Sequence, residues 1–120
     1  MIKENYDLQG ALKEYIRLLE GSFYFEAHEA LEEAWHPLRK ADHPLKNLVK
    51  GLINGAISFE HLKRNRKNAA LKARKVMAFY EKHKRIAMQE IEHAVLLREA
   101  CAHIERLKHQ HLEVFGVLVS

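Results

Sequence analysis

Thirteen residues, Phe23 to Trp35, read F-Y-F-E-A-H-E-A-L-E-E-A-W. Imidazole and carboxylate are the side chains that move protons and hold metals, and this stretch carries His28 with Glu26, Glu29, Glu32 and Glu33. On a helix each residue turns by 100°, so residues four apart share a face. His28 and Glu32 therefore lie together, on the same side as Tyr24, Leu31, Trp35 and Leu38. The phase predicts that both sit inside the apolar arc, whereas Glu26, Glu29 and Glu33 fall at its rim or outside it. A buried imidazole and a buried carboxylate must satisfy each other or a neighbour. That requirement makes the pair the first candidate for a site.

Two chemistries follow. The pair could act as a base with its orienting carboxylate, or as two ligands of a divalent metal. His28-Glu29-x-x-Glu32 lacks the second histidine of the zinc-protease motif H-E-x-x-H. A third ligand must come from another helix, and His61 is the candidate. The structural alternative is a hydrogen-bonded pair that only locks the bundle. The sequence names no reaction: it has no Gly-rich phosphate loop, no Ser nucleophile motif and no Cys/His pair for covalent catalysis. The single Cys101 excludes an intramolecular disulfide and a Cys-based zinc site, and its helical setting suits a small core residue.

The elements that would position these groups are helices. Ala, Leu, Glu, Lys and Arg dominate, with five Gly and two Pro in 120 residues. Asp7 is placed to cap a first helix over about 7–20, with Leu8, Leu12, Ile16 and Leu19 at helical spacing and Gly21 at its end. Ser22 is expected to cap a second helix over 22–39, which Pro37 could kink or shorten. Pro44 suits the first turn of a third helix over 44–65. That helix is apolar over so wide an arc that it must be central. Its remaining arc holds Asn47, Lys50, Asn54, Ser58 and His61 beside Gly51 and Gly55. Two glycines within a helix imply close approach of a neighbour, for which the Trp35 ring is the expected partner. A short polar connection, Asn65 to Asn68, folds a fourth helix back on the third, buried through Ala69, Ala73, Val76, Met77 and Tyr80. A fifth helix is expected over 86–110. The valine-rich end, 112–120, would pack on the bundle or across to a second subunit.

Charge is unevenly spread. Residues 1–33 hold eight acids against three bases, whereas residues 63–85 hold ten bases against one acid. Lys63, Arg64, Arg66, Lys67, Lys72, Arg74 and Lys75 form a basic run that could contact nucleic-acid phosphates. No aromatic is interleaved in the run, which argues against a base-stacking surface. The same asymmetry also suits a homodimer with a self-complementary surface. No apolar stretch is long enough for a signal peptide or a membrane span, so a cytoplasmic protein with no membrane partner is expected.

Gly21 to Trp35, G-S-F-Y-F-E-A-H-E-A-L-E-E-A-W, followed by K-G-L-I-N-G-A-I-S-F-E-H from Lys50 to His61, resembles the domain of unknown function 309 family. That family has a Gly, two aromatics and E-A-H-E-x-L-E-x-x-W in its second helix, with a G-L-I block and a downstream His in its third. The resemblance spans about Gly21 to Tyr80 and implies a compact all-helical bundle without an established activity. It singles out Glu26, His28, Glu29, Glu32, Trp35 and His61. Asn54 stands where the family often has Gln.

The expectation is therefore an all-α protein, a single domain over 1–120. It is a compact bundle of about five helices with a central antiparallel hairpin. A small-ligand or metal site is expected between the second and third helices, built from Glu26, His28, Glu29, Glu32, Trp35, Asn54 and His61.

Overall fold

The computed structural model describes residues 7–89 and 93–116. Five long helices account for most of them: α1 (Leu8–Glu20), α2 (Tyr24–Lys40), α3 (Lys46–Arg64), α4 (Ala69–His83) and α6 (Ala94–His109). Two single turns, α5 (Ile86–Gln89) and α7 (Leu112–Phe115), complete an all-helical bundle with no strand among the described residues.

Asp7 caps α1 as its side chain predicts: the Gly10 N–H donates to Asp7 Oδ1 at 2.9 Å. Ser22 does not cap α2. It takes a left-handed conformation at φ +65°, and Phe23 occupies the cap position without a side-chain bond. Pro37 is carried inside α2, which runs on to Lys40. α3 begins at Lys46, after Pro44 rather than on it. The turn from α3 to α4 reverses through two left-handed asparagines, Asn65 at φ +51° and Asn68 at φ +62°. Asparagine tolerates that region better than other residues with a Cβ. The fifth predicted helix is divided. α5 ends at Gln89, and His93, at φ +61°, stands outside the helix that it precedes.

α3 is the hub. Leu48, Val49, Leu52, Ile53, Ala56, Ser58 and Phe59 are fully or almost fully buried, and α2, α4 and α6 all pack on it. Its glycines face helices other than the one expected. A Cβ on Gly51 would lie 2.9 Å from Tyr80 Cα, and one on Gly55 would lie 2.8 Å from Ile104 Cδ1. Gly51 thus opens the approach of α4, and Gly55 that of α6. Trp35 instead holds α2 to the start of α3 by its edge: Nε1 donates to the Lys46 carbonyl at 3.1 Å, while Lys50 Nζ lies 4.5 Å from the ring centroid.

Buried hydroxyls fix the remaining helices. Tyr15 donates to the Leu52 carbonyl at 2.6 Å, tying α1 to α3. Ser58 donates to the Ala73 carbonyl at 2.8 Å, tying α3 to α4. Gly51 meets Tyr80 and, seven residues on, Ser58 meets Ala73, seven residues back, so α4 runs antiparallel to α3 as expected. α7 folds onto α4 and α6, with Val114 buried and the Phe115 ring 5.8 Å from that of Phe59. Residues 117–120 of the valine-rich end lie outside the described residues.

The two glycines give separable expectations. Gly51→Ala places a methyl against backbone that cannot rotate away. It should cost about 1–3 kcal/mol, against a helix-propensity gain of at most about 1 kcal/mol. Gly55→Ala meets the end of a flexible isoleucine and should cost less. Urea unfolding midpoints compare the two; equal midpoints would mean that the α3–α4 approach is not set by Gly51.

Candidate functional site

His28 and Glu32 do not sit in the middle of the buried face of α2. That face is Tyr24, Ala27, Leu31, Ala34 and Leu38. Ala27 and Ala34 add little bulk, yet they are almost completely covered and shift the centre of the buried arc about 80° from His28. The His28 side chain retains 15% of its exposure and that of Glu32 40%. Phe25, on the same side, is 43% exposed.

The pair is local to α2. His28 Nδ1 lies 2.6 Å from the Phe25 carbonyl, so the hydrogen belongs on Nδ1 and Nε2 is left as the acceptor of the neutral ring. Nε2 stands 3.7 Å from Glu32 Oε1, beyond a hydrogen bond. Neither residue hydrogen-bonds to Asn54 or His61 of α3 among the described residues. The expected lock between α2 and α3 is therefore absent, and Trp35–Lys46 takes that place. The metal reading meets the same geometry. Among the described residues no three His, Cys, Asp or Glu side chains gather into a group that could hold an ion, so His28, Glu32 and His61 do not form the expected centre.

The structure does bring His28 and His61 to one place. Both line a half-open cleft of about 340 Å³ where α2, the end of α3 and the start of α4 meet. Phe25, Ile57 and Ala69 form its apolar walls. Glu60 from α3 and four cations, Arg64, Arg66, Lys67 and Lys72, surround it. Glu60 is engaged by Arg64, whose Nε donates to Oε2 at 2.5 Å. Arg66, Lys67 and Lys72 have no carboxylate partner among the described residues. Two groups kept apart by the sequence, the His/Glu stretch and the basic run, thus contribute to a single cleft. Ile57, Glu60 and Ala69 are the residues that sequence reasoning missed there.

The other expected residues lie elsewhere. Glu26 and Glu29 are exposed on α2, Asn54 is half-buried on α3, and Trp35 packs at the far end of α2. The polar stripe of α3 is split, since Ser58 turns fully inward to Ala73. Lys63 donates to the Ser22 carbonyl at 2.8 Å, and Arg74 reaches the Val114 carbonyl at 3.4 Å. Lys72, Arg74 and Lys75 are all exposed, as the buried stripe of α4 requires.

A second polar cluster lies between α4 and α6. Lys108 is 3% exposed, and its ammonium is held by Glu81 and by Glu105 Oε1, the latter at 3.1 Å. Tyr80 and Lys84 donate to Glu105 Oε2 at 2.7 and 3.1 Å. Burial alone would raise the Glu105 carboxyl, but the bonds from Tyr80, Lys84 and Lys108 outweigh it and hold the group below the ordinary value. Burial pushes the Cys101 thiol up to about 11, which suppresses its thiolate. The sequence carried a signal for this cluster. Lys108 continues the spacing of Leu97, Ala100 and Ile104 on the buried stripe of α6.

A family model described as Domain of unknown function (DUF309) matches residues 12–73, just over half of the chain. The chain belongs to this family. No curated protein and no solved structure matches it. The matched segment begins in α1, earlier than the Gly21–Trp35 motif, and ends within α4. Every residue lining the cleft falls inside it, whereas the Lys108 cluster lies outside.

Two expectations follow. Glu32→Ala and Glu33→Ala should each cost within about 0.5 kcal/mol in urea unfolding, because Glu32 is wetted and makes no bond between helices; a loss near 2 kcal/mol for Glu32 alone would contradict this. Glu105, depressed in the folded state, stabilises the protein above its unfolded value near about 4.3 and loses that contribution as pH falls through the lower folded one. Glu105→Gln should therefore be clearly less stable than wild type at pH 7, with the gap closing below about pH 4. A gap independent of pH would remove the ionic role.

Proposed function

We propose that members of this family with these residues use the cleft at the α2–α3–α4 junction to bind a small anionic ligand, with phosphate as its anionic group. The observation that carries this reading is the charge imbalance around an apolar hollow: four cationic side chains face it with one carboxylate, and that carboxylate is already paired with Arg64. Cations left without partners at a concave surface attract anions, and guanidinium and ammonium groups give charge-assisted bonds to phosphate oxygens. The start of α4 adds to the same field, since Ala69 lines the cleft and the Asn68 side chain makes no capping bond. His28 from α2 and His61 from α3 place two imidazoles on the same cleft. The cleft volume lies at the low end of the roughly 300–1,000 Å³ of ligand pockets. Nothing in the arrangement assigns a reaction to these groups, so the proposal is one of binding.

Titration of the intact protein with pyrophosphate, followed by calorimetry or amide chemical shifts, tests this. Shifts should concentrate at residues 60–72 and around His28. Arg66→Glu with Lys72→Glu should remove binding, at about 1.5–3 kcal/mol for each charge-assisted hydrogen bond removed. Lys75→Glu, exposed on α4 but outside the cleft, should leave binding almost unchanged. Equal losses from Lys75 and from the cleft pair would reduce the effect to general surface charge and overturn the site.

A further inference from the structure

We infer that the ligand of this cleft is a nucleotide unit, one base with its phosphate, in which the base stacks on Phe25. The inference rests on the anion-binding reading and goes further, because a bare anion leaves the apolar walls unexplained. Phe25 is 43% exposed, and Phe23, two residues earlier at the cap of α2, is 50% exposed. Phe25 thus puts a large, partly exposed aromatic ring on the cleft wall. His28 packs against the Phe25 ring nearly perpendicular, at 4.9 Å between centroids, which fixes the orientation of the ring. Arg64 Cζ lies over the same ring, 5.9 Å from its centroid, and Lys63 Nζ lies over the Phe23 ring, 5.9 Å from its centroid. Aromatic faces beside cations that track a phosphate are the two parts of a sequence-tolerant nucleotide site. The basic run lacks an interleaved aromatic in sequence; the α1–α2 turn and the start of α2 supply the aromatics in space.

Size sets the number of units. About 340 Å³ holds one nucleotide and is small for a dinucleotide cofactor. Ile57 and Ala69 cover the apolar surface of the base, while Arg66, Lys67 and Lys72 lie where a phosphate would be bound. The same unit can come from a free mononucleotide or from the phosphorylated end of a single-stranded nucleic acid, and the two sources share this chemistry.

The experiment titrates the full chain with adenosine 5′-monophosphate, ribose 5-phosphate, and a single-stranded hexa-adenylate with or without a 5′-phosphate. Adenosine 5′-monophosphate should bind at least about tenfold more tightly than ribose 5-phosphate. Phe25→Ala should remove that advantage, a loss of roughly 5- to 150-fold for one stacked base, while ribose 5-phosphate binding is kept. Phe25→Tyr should retain the advantage, and the urea midpoint of each variant checks that it is folded. Equal affinity for the two phosphates, with both lost in Arg66→Glu/Lys72→Glu, would overturn base stacking and leave the anion cleft standing. No binding of either would overturn both. Tighter binding of the 5′-phosphorylated hexamer than of the mononucleotide, lost without its phosphate, would support the inference and identify a nucleic-acid end as the source. The reverse order would support it with a free nucleotide.

Discussion

The contact of Gly51 with the backbone at Tyr80 sets the geometry on which the rest depends. Only a residue without a Cβ lets α4 come this close to α3, and closeness brings the Ala73 carbonyl within reach of Ser58. With the two helices held at both points, the chain must reverse in the few residues between Arg64 and Ala69. It does so through two left-handed asparagines, and the reversal puts Arg66 and Lys67 at the same end of the hairpin as His61. The cationic rim of the cleft is thus a consequence of helix packing in the core. Tyr80 shares in both parts, since its main chain meets Gly51 and its hydroxyl donates to Glu105 of α6.

The protein deals with its charges in two ways. Between α4 and α6, Lys84 and Lys108 are matched by Glu81 and Glu105 with a tyrosine hydroxyl added, and the buried ammonium of Lys108 donates to both carboxylates. Removing a lysine with a long aliphatic stem from water in this way is tolerable because its charge is met by two carboxylates. At the other end of α4 the cations stay hydrated, and α3 supplies a single carboxylate. A matched cluster serves cohesion, whereas an unmatched one around a hollow retains attraction for something outside the chain. Membership of the DUF309 family is carried by the segment that contains the unmatched cluster.

The sequence alone determined the fold class, the phases of α1, α3 and α4, the antiparallel α3–α4 hairpin and the family. These depend on local periodicity and on residues such as Asp7, Gly21 and Asn65–Asn68, whose effects reach only a turn or two along the chain. His28 and His61 also stood out as candidates, because polar groups close to apolar stripes are conspicuous at any phase, and both line the cleft. Three things were decided only by tertiary structure. The depth of His28 and Glu32 depended on Ala27 and Ala34, small residues whose burial is fixed by the helix packed on them rather than by their own hydrophobicity. The partners of Gly51 and Gly55 depended on which helices reach α3, and a glycine states that something comes close without saying what. The cleft itself joins Phe25 and His28 to a basic run some forty residues away, and no spacing rule connects them. Helical periodicity fixes which way a side chain points on its own helix; what it then faces is fixed by the packing of the other helices, and in this chain that packing brought two separate motifs to one cleft.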